Sequence, residues 1–107
     1  MMAKIVGAKV QEKVSYTTED GEVKEINKVV FRCVIKDIGL DIVGSDVERY
    51  SVQISDLPAI FGVPVKNGQS TIDYIRQFIN RDCILETKAT VYDGRLTNML
   101  VGVTFKE

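Results

Sequence analysis

The sequence predicts a mostly β protein, a five- to six-stranded antiparallel barrel that carries one helix. Three observations predict it. Apolar residues recur at every second position through long stretches, as in strands with one buried face. Two Asp-Gly pairs, Asp20-Gly21 and Asp93-Gly94, interrupt such stretches as hairpin turns do. Sustained helical spacing of apolar residues occurs once, over 70–82, ahead of the final hairpin. Strands joined by hairpins pair antiparallel, and long strands in a small domain favour closure into a barrel.

Residues 3–16 alternate, with Val6, Ala8, Val10 and Val14 on one face and Lys9, Gln11, Lys13 and Ser15 on the other. After the Asp20-Gly21 turn, residues 22–36 form the longest expected strand. Val29, Phe31, Cys33 and Ile35 point inward, while Lys28, Arg32 and Lys36 share the opposite face with Val30 and Val34. The pattern breaks at Asp37. A short strand over 40–43 then leads through a second hairpin at Gly44 into a strand over 47–54, whose buried side holds Tyr50, Val52 and Ile54. Residues 55–62 predict one helical turn, with Ser55 as cap, Pro58 in the first turn and Gly62 as the stop. Ser70, with Asp73 three residues on, resembles a capping box. It opens the helix of 70–82, on which Ile72, Ile75 and Ile79 form a stripe widened by Phe78. Residues 83–92 and 95–105 flank Asp93-Gly94 as the last hairpin.

A chain of 107 residues fits one domain spanning 1–107 and can bury a core without staples. The net charge of -1 argues against binding duplex DNA through bulk charge, but it permits a local basic face. Cys33 and Cys83 each lie in an apolar run and read as small buried hydrophobes. Residues 1–10 lack the apolar core of a signal peptide, and no apolar run has the length of a membrane span. The expectation is a soluble cytoplasmic protein without membrane contact.

Chemistry finds few residues to work with. The chain has no histidine, which removes the commonest general base, nucleophile partner and metal ligand. It also has no CxxC and no glycine-rich phosphate loop. The acidic pairs Asp37/Asp41 and Asp46/Glu48 read as solvated loop residues rather than metal ligands. Neither an enzyme nor a bound cofactor is expected.

Binding remains. On an extended strand Lys28, Arg32 and Lys36 stand roughly 13 Å apart in turn, a spacing that can follow alternate phosphates of an extended single strand. Lys9 and Lys13 repeat that spacing on the preceding strand, so pairing across the first hairpin assembles five cations on one sheet face. Tyr16, Tyr50, Phe61 and Tyr92 are candidate stacking platforms for bases. Tyr16 and Tyr92 are the better pair, because each sits beside a hairpin tip, and Arg95 follows Tyr92 across the last turn.

In size, strand order, helix position and the placing of these basic and aromatic residues, the chain resembles the small OB-fold single-stranded DNA-binding proteins. It departs from them in its acidic balance and in having no tryptophan. The resemblance implies an OB-like barrel, possession by a phage or mobile element, self-association, and binding of single-stranded nucleic acid without sequence preference. Lys9, Lys13, Lys28, Arg32 and Lys36 would guide the strand, Tyr16 and Tyr92 would stack, and Arg95 would clamp. Val30 and Val34 on the basic face would suit a seam between two copies. A second class also fits, a non-enzymatic β-rich interaction module. It would dock a protein partner through a sheet edge, or a basic one through the acidic hairpin residues Glu19, Asp20, Glu22 and Glu25.

Overall fold

A computed structural model of the chain describes residues 2–36, 47–92 and 94–105. The short strand expected over 40–43, the hairpin at Gly44, and Asp37, Asp41, Asp46 and Asp93 lie outside the described residues.

Among the described residues five strands make one sheet. β1 (Met2–Thr17) and β2 (Val23–Ile35) form the first hairpin, and β3 (Val47–Gln53) pairs with β2. After two short helices, β4 (Asp82–Tyr92) and β5 (Arg95–Phe105) form the last hairpin. β4 joins the sheet through a short ladder, Met2 opposite Ile84 to Lys4 opposite Asp82. The order is β3-β2-β1-β4-β5, and every pair is antiparallel. Among the described residues no ladder joins β3 to β5, so hydrogen bonds do not close the sheet. The two edges nevertheless approach. Glu48, Arg49 and Tyr50 face Leu96, Thr97 and Asn98 across a gap of about 350 Å³.

The alternation expected of β1 is reset twice. One extra β1 residue is inserted between Ile5 and Gly7, and another between Gln11 and Val14. Each insertion is a β-bulge, which changes the face that later residues present. Ala3 and Ile5 are buried before the first bulge, and Ala8 and Val10 pack on the core after it. The inward set is therefore Ala3, Ile5, Ala8 and Val10, not the uniform Val6-to-Val14 series. At the second bulge Lys13 takes a left-handed φ of 55°. Its N–H donates to Asn27 Oδ1 at 2.8 Å, and Asn27 Nδ2 donates to Glu25 Oε1 at 2.8 Å. β2 carries no such shift against β3, and Val29, Phe31, Cys33 and Ile35 are all buried as the pattern predicts.

The first turn differs from a two-residue Asp-Gly hairpin. Gly21 N–H donates to Thr18 O and Thr18 N–H to Glu22 O, with only Gly21 of this loop left-handed, at φ 80°. That is a turn through Glu19 and Asp20, completed by glycine where a side chain would be strained.

Both α-helices among the described residues are short. A 3₁₀ turn over Ile54–Asp56 precedes α1 (Leu57–Phe61), so Asp56 takes the cap position expected of Ser55. Gly62 ends α1 at φ 68°, its N–H donating to Pro58 O. α2 (Thr71–Arg76) starts as expected, with Ser70 Oγ accepting from the Asp73 N–H at 3.1 Å. It does not run to residue 82. The chain turns through 77–80, because Asn80 N–H donates to Ile5 O and Ile5 N–H to Arg81 O. Pairing with β1 thus ends the helix, with Asn80 left-handed at φ 64°. Gln77 Nε2 covers the freed Tyr74 carbonyl at 2.8 Å. Among the described residues no helix is long and apolar enough to cross a membrane.

The helices bury their apolar residues against the inner sheet face. Phe61 stacks on Phe78 at 4.3 Å between ring centres, Phe78 on Phe105 at 5.2 Å, and Tyr74 meets Phe78 edge-on. Arg81 lies over the outer ring of that stack, 4.2 Å from the Phe105 centroid. Tyr50 and Phe61, candidate stacking platforms in the sequence, are each 4% exposed and belong to this core.

Cys33 and Cys83 are free thiols in the same core. Burial pushes Cys33 up to about 12, with the nearby Cys83 thiol adding to the rise. Burial, then the Asp82 carboxylate, pushes Cys83 up to about 11. Both stay protonated when folded, whereas in the unfolded chain they ionise near 9.0. Their contribution to stability is complete below pH 9.0 and is lost as pH rises toward the folded values. Iodoacetamide at pH 8 is expected to leave both unmodified until denaturant is added. Melting temperature should fall progressively above pH 9, and rapid labelling of the folded protein would contradict this.

Candidate nucleic-acid interface

The outer sheet face is built in rows across three strands. Gln11, Lys28 and Gln53 form one row, Lys9, Val30 and Ser51 the next, and Gly7, Arg32 and Arg49 the third. Antiparallel partners stand on the same face, so each row brings three residues together. Lys9, Val30, Arg32 and Arg49 line a concavity of about 300 Å³.

Glycine shapes this site. A Cβ at Gly7 would overlap the Arg32 guanidinium, so the absence of a side chain lets Arg32 extend across β1. Arg49 stands directly opposite Arg32 on β3. Lys9, Arg32 and Arg49 are exposed, and among the described residues none forms an ion pair. Like charges directly opposite on neighbouring strands are destabilising. This concavity therefore holds positive charge that the described residues do not neutralise.

The sequence candidates separate into groups. Lys9, Lys28 and Arg32 share the outer face. Lys13 does not stand in line with Lys9, because it sits on the second bulge. Lys36 lies just past the end of β2, and its Nζ meets Asp82 Oδ1 at 2.9 Å with both side chains about half exposed. It is the cation of an ion pair, not the end of a free rail. The second bulge brings Tyr16 onto the outer face opposite Lys24, where unbroken alternation would have put Ser15. Tyr16 is 45% exposed there. Arg95 is exposed near the tip of the other hairpin, opposite Tyr92 in the ladder. The Tyr92 side chain lies outside what is described.

Sequence reasoning missed Arg49. The signal was present, since Arg49 and Ser51 alternate with the buried Tyr50 and Val52. Its place opposite Arg32 depends on the β2–β3 register, which no local pattern carries.

Four acidic residues lie several ladder rows from the Lys9, Arg32 and Arg49 concavity, at the hairpin end where Tyr16 stands. Glu19, Asp20, Glu22 and Glu25 are all exposed at the end of the β1–β2 hairpin. Among the described residues no group of three or more histidine, cysteine, aspartate or glutamate side chains is placed to hold a metal. Neither family models, curated proteins nor solved structures yield a match to this chain.

Proposed function

We propose that the protein binds single-stranded nucleic acid, without sequence preference and without catalysis, on the outer face of β1, β2 and β3. The observation that carries this reading is the concavity lined by Lys9, Arg32 and Arg49, which have no carboxylate partner among the described residues. A phosphate placed there meets cations from β1, β2 and β3. Val30 supplies an apolar surface between the cations, and Tyr16 stands further along the same face for a base to stack on. The strand order, with the helices between β3 and β4, supports an OB-like barrel, although among the described residues no ladder joins β3 to β5. In OB-folds the face of the second and third strands is the one that takes oligonucleotides. The net charge of -1 does not oppose the reading, because the field acting on a bound strand is local, and four of the acidic residues, Glu19, Asp20, Glu22 and Glu25, cluster at one hairpin end.

The test is fluorescence anisotropy of a labelled oligo-dT at increasing salt. With Lys9, Lys28, Arg32 and Arg49 each meeting a phosphate, the log of affinity should fall against log salt with a slope of about -3. Absence of binding at low salt overturns the proposal. The exposed acidic tip favours a second reading, docking of a basic protein partner. That interaction would respond to Glu22→Lys and ignore Arg32.

A further inference from the structure

β1 is paired on both sides only at its start. Met2 to Lys4 are laddered to β4, and the Ile5 backbone bonds to Asn80 and Arg81. From Gly7 to Gln11 β1 is laddered to β2 alone, and among the described residues no backbone group bonds to its other edge. An antiparallel partner engages the N–H and C=O of every second residue, so the alternate residues direct theirs away from β2. That edge opens on a groove of about 340 Å³ between β1 and α2. Ala8, Val10, Ile72, Ile75 and Ile79 line it, and Ile72 is 53% exposed. The bonds of Ile5 mark one end of the stretch. Thr71 Oγ1, donating to Glu12 Oε2, marks the other.

We propose that this edge takes an extended peptide of another protein, a segment in which apolar and acidic residues alternate. The segment adds to β1 as a further strand. Its apolar side chains enter the groove, and its acidic side chains meet the cations of the outer face.

Backbone and shape select a strand. Unpaired ladder positions are a template for one, and main-chain bonds then supply affinity while side chains supply choice. Gly7 to Gln11 spans about 17 Å, the length of roughly five extended residues. The β3 and β5 edges offer no such place, because they face one another across the gap lined by Arg49, Leu96 and Asn98.

Charge selects the composition. Side chains of an added strand alternate between the two faces of the sheet, as those of β1 do. On the inner side they stand beside Ala8 and Val10, where the lining is aliphatic. On the outer side they stand beside Gly7 and Lys9. The Arg32 guanidinium lies over Gly7, which brings the charge of β2 to the β1 edge. Arg76 lines the groove from the helix side. Among the described residues none of Lys9, Arg32 and Arg76 forms an ion pair. The nearby carboxylate of Glu12 is engaged by Thr71. An acidic segment is therefore favoured over a basic one.

The test is fluorescence anisotropy of a labelled peptide alternating valine and aspartate, titrated with the full chain at low salt. Nucleic acid is left out, so this result and the oligo-dT result stand or fall separately. Saturable binding is expected. N-methylation of one alternate set of peptide amides should abolish it, and N-methylation of the other set should not. Lysine in place of aspartate should also abolish it. Ile72→Asp and Arg76→Glu should each weaken binding about tenfold, with melting temperatures close to wild type. Absence of binding overturns the proposal. So does equal binding of the lysine peptide, or equal response to the two methylated sets, since neither is strand addition beside cations. Loss of binding in Leu96→Asp but not in Ile72→Asp also overturns it, because the peptide would then enter the β3–β5 gap.

Discussion

Arg32→Glu is expected to remove detectable oligo-dT binding at moderate salt while leaving the melting temperature close to the wild-type value. The two halves of this result have one cause. Arg32 and Arg49 are opposite one another in the β2–β3 ladder, and among the described residues neither has a carboxylate partner. The Arg32 guanidinium extends over Gly7 on β1, away from Arg49 on β3, so among the described residues replacing it removes no ion pair that holds the strands together. The same change places a negative charge in the concavity proposed for phosphate. Removing one phosphate-binding cation makes the salt slope shallower by about 0.7, and the new carboxylate adds repulsion. Arg49→Glu should behave alike, although Arg49 belongs to the sheet's edge strand. Edge-strand charges also serve to prevent pairing with other chains. If that were the whole role of Arg49, the glutamate variant would bind oligo-dT as the wild type does. Anisotropy titrations of both variants beside thermal melts decide between the two roles. Lost binding with an intact melt places phosphate at the arginine row.

What the sequence could show of this site follows from which features are local. Alternation along β2 correctly placed Val29, Phe31, Cys33 and Ile35 inside and Lys28 and Arg32 outside, since that strand carries no bulge. The same reasoning failed on β1. A bulge preserves the alternating look of the residues on either side of it while exchanging their faces. The expected line from Lys9 to Lys13 was lost in this way, and Tyr16 was gained for the outer face. Asn27, whose side chain accepts from the Lys13 N–H, is the residue that holds this irregularity, and nothing in its immediate neighbours announces it. Arg49 opposite Arg32, and Lys36 beside Asp82, depend on pairing between distant segments. Helix α2 was legible in its Ser70 cap and its apolar spacing, but not in its length. The backbone of Ile5 claims Asn80 and Arg81, and that tertiary pairing overrides a helical pattern that continues in the side chains.

Phe78→Ala should be the most damaging single change in the core. Phe78 is fully buried in the turn after α2. Its ring stacks on Phe61 at 4.3 Å and Phe105 at 5.2 Å, and meets the edge of Tyr74 at 5.2 Å. It therefore joins α1, α2 and β5 through one side chain. Truncating a buried phenylalanine costs about 3–5 kcal/mol through reduced burial and the cavity left behind. Against a total stability of roughly 5–15 kcal/mol this is a large share. The expected fall in melting temperature is on the order of 15–25 °C for a domain of this size. Phe78→Leu should recover a substantial part of the loss, because it refills most of the volume without the ring stacking. Ile72→Ala, at a site 53% exposed on α2, should cost far less. Thermal and denaturant melts of the three variants provide the measurement. If Phe78→Ala were no worse than Ile72→Ala, the stack of Phe61, Phe78 and Phe105 could not be what fixes the helices to the sheet. The outer face is a different matter, because Arg32 and Arg49 lie on strands whose own ladder positions them. A Phe78→Leu protein that still folds should therefore retain oligo-dT affinity close to wild type, which separates the residues that hold the fold from those proposed to bind the strand.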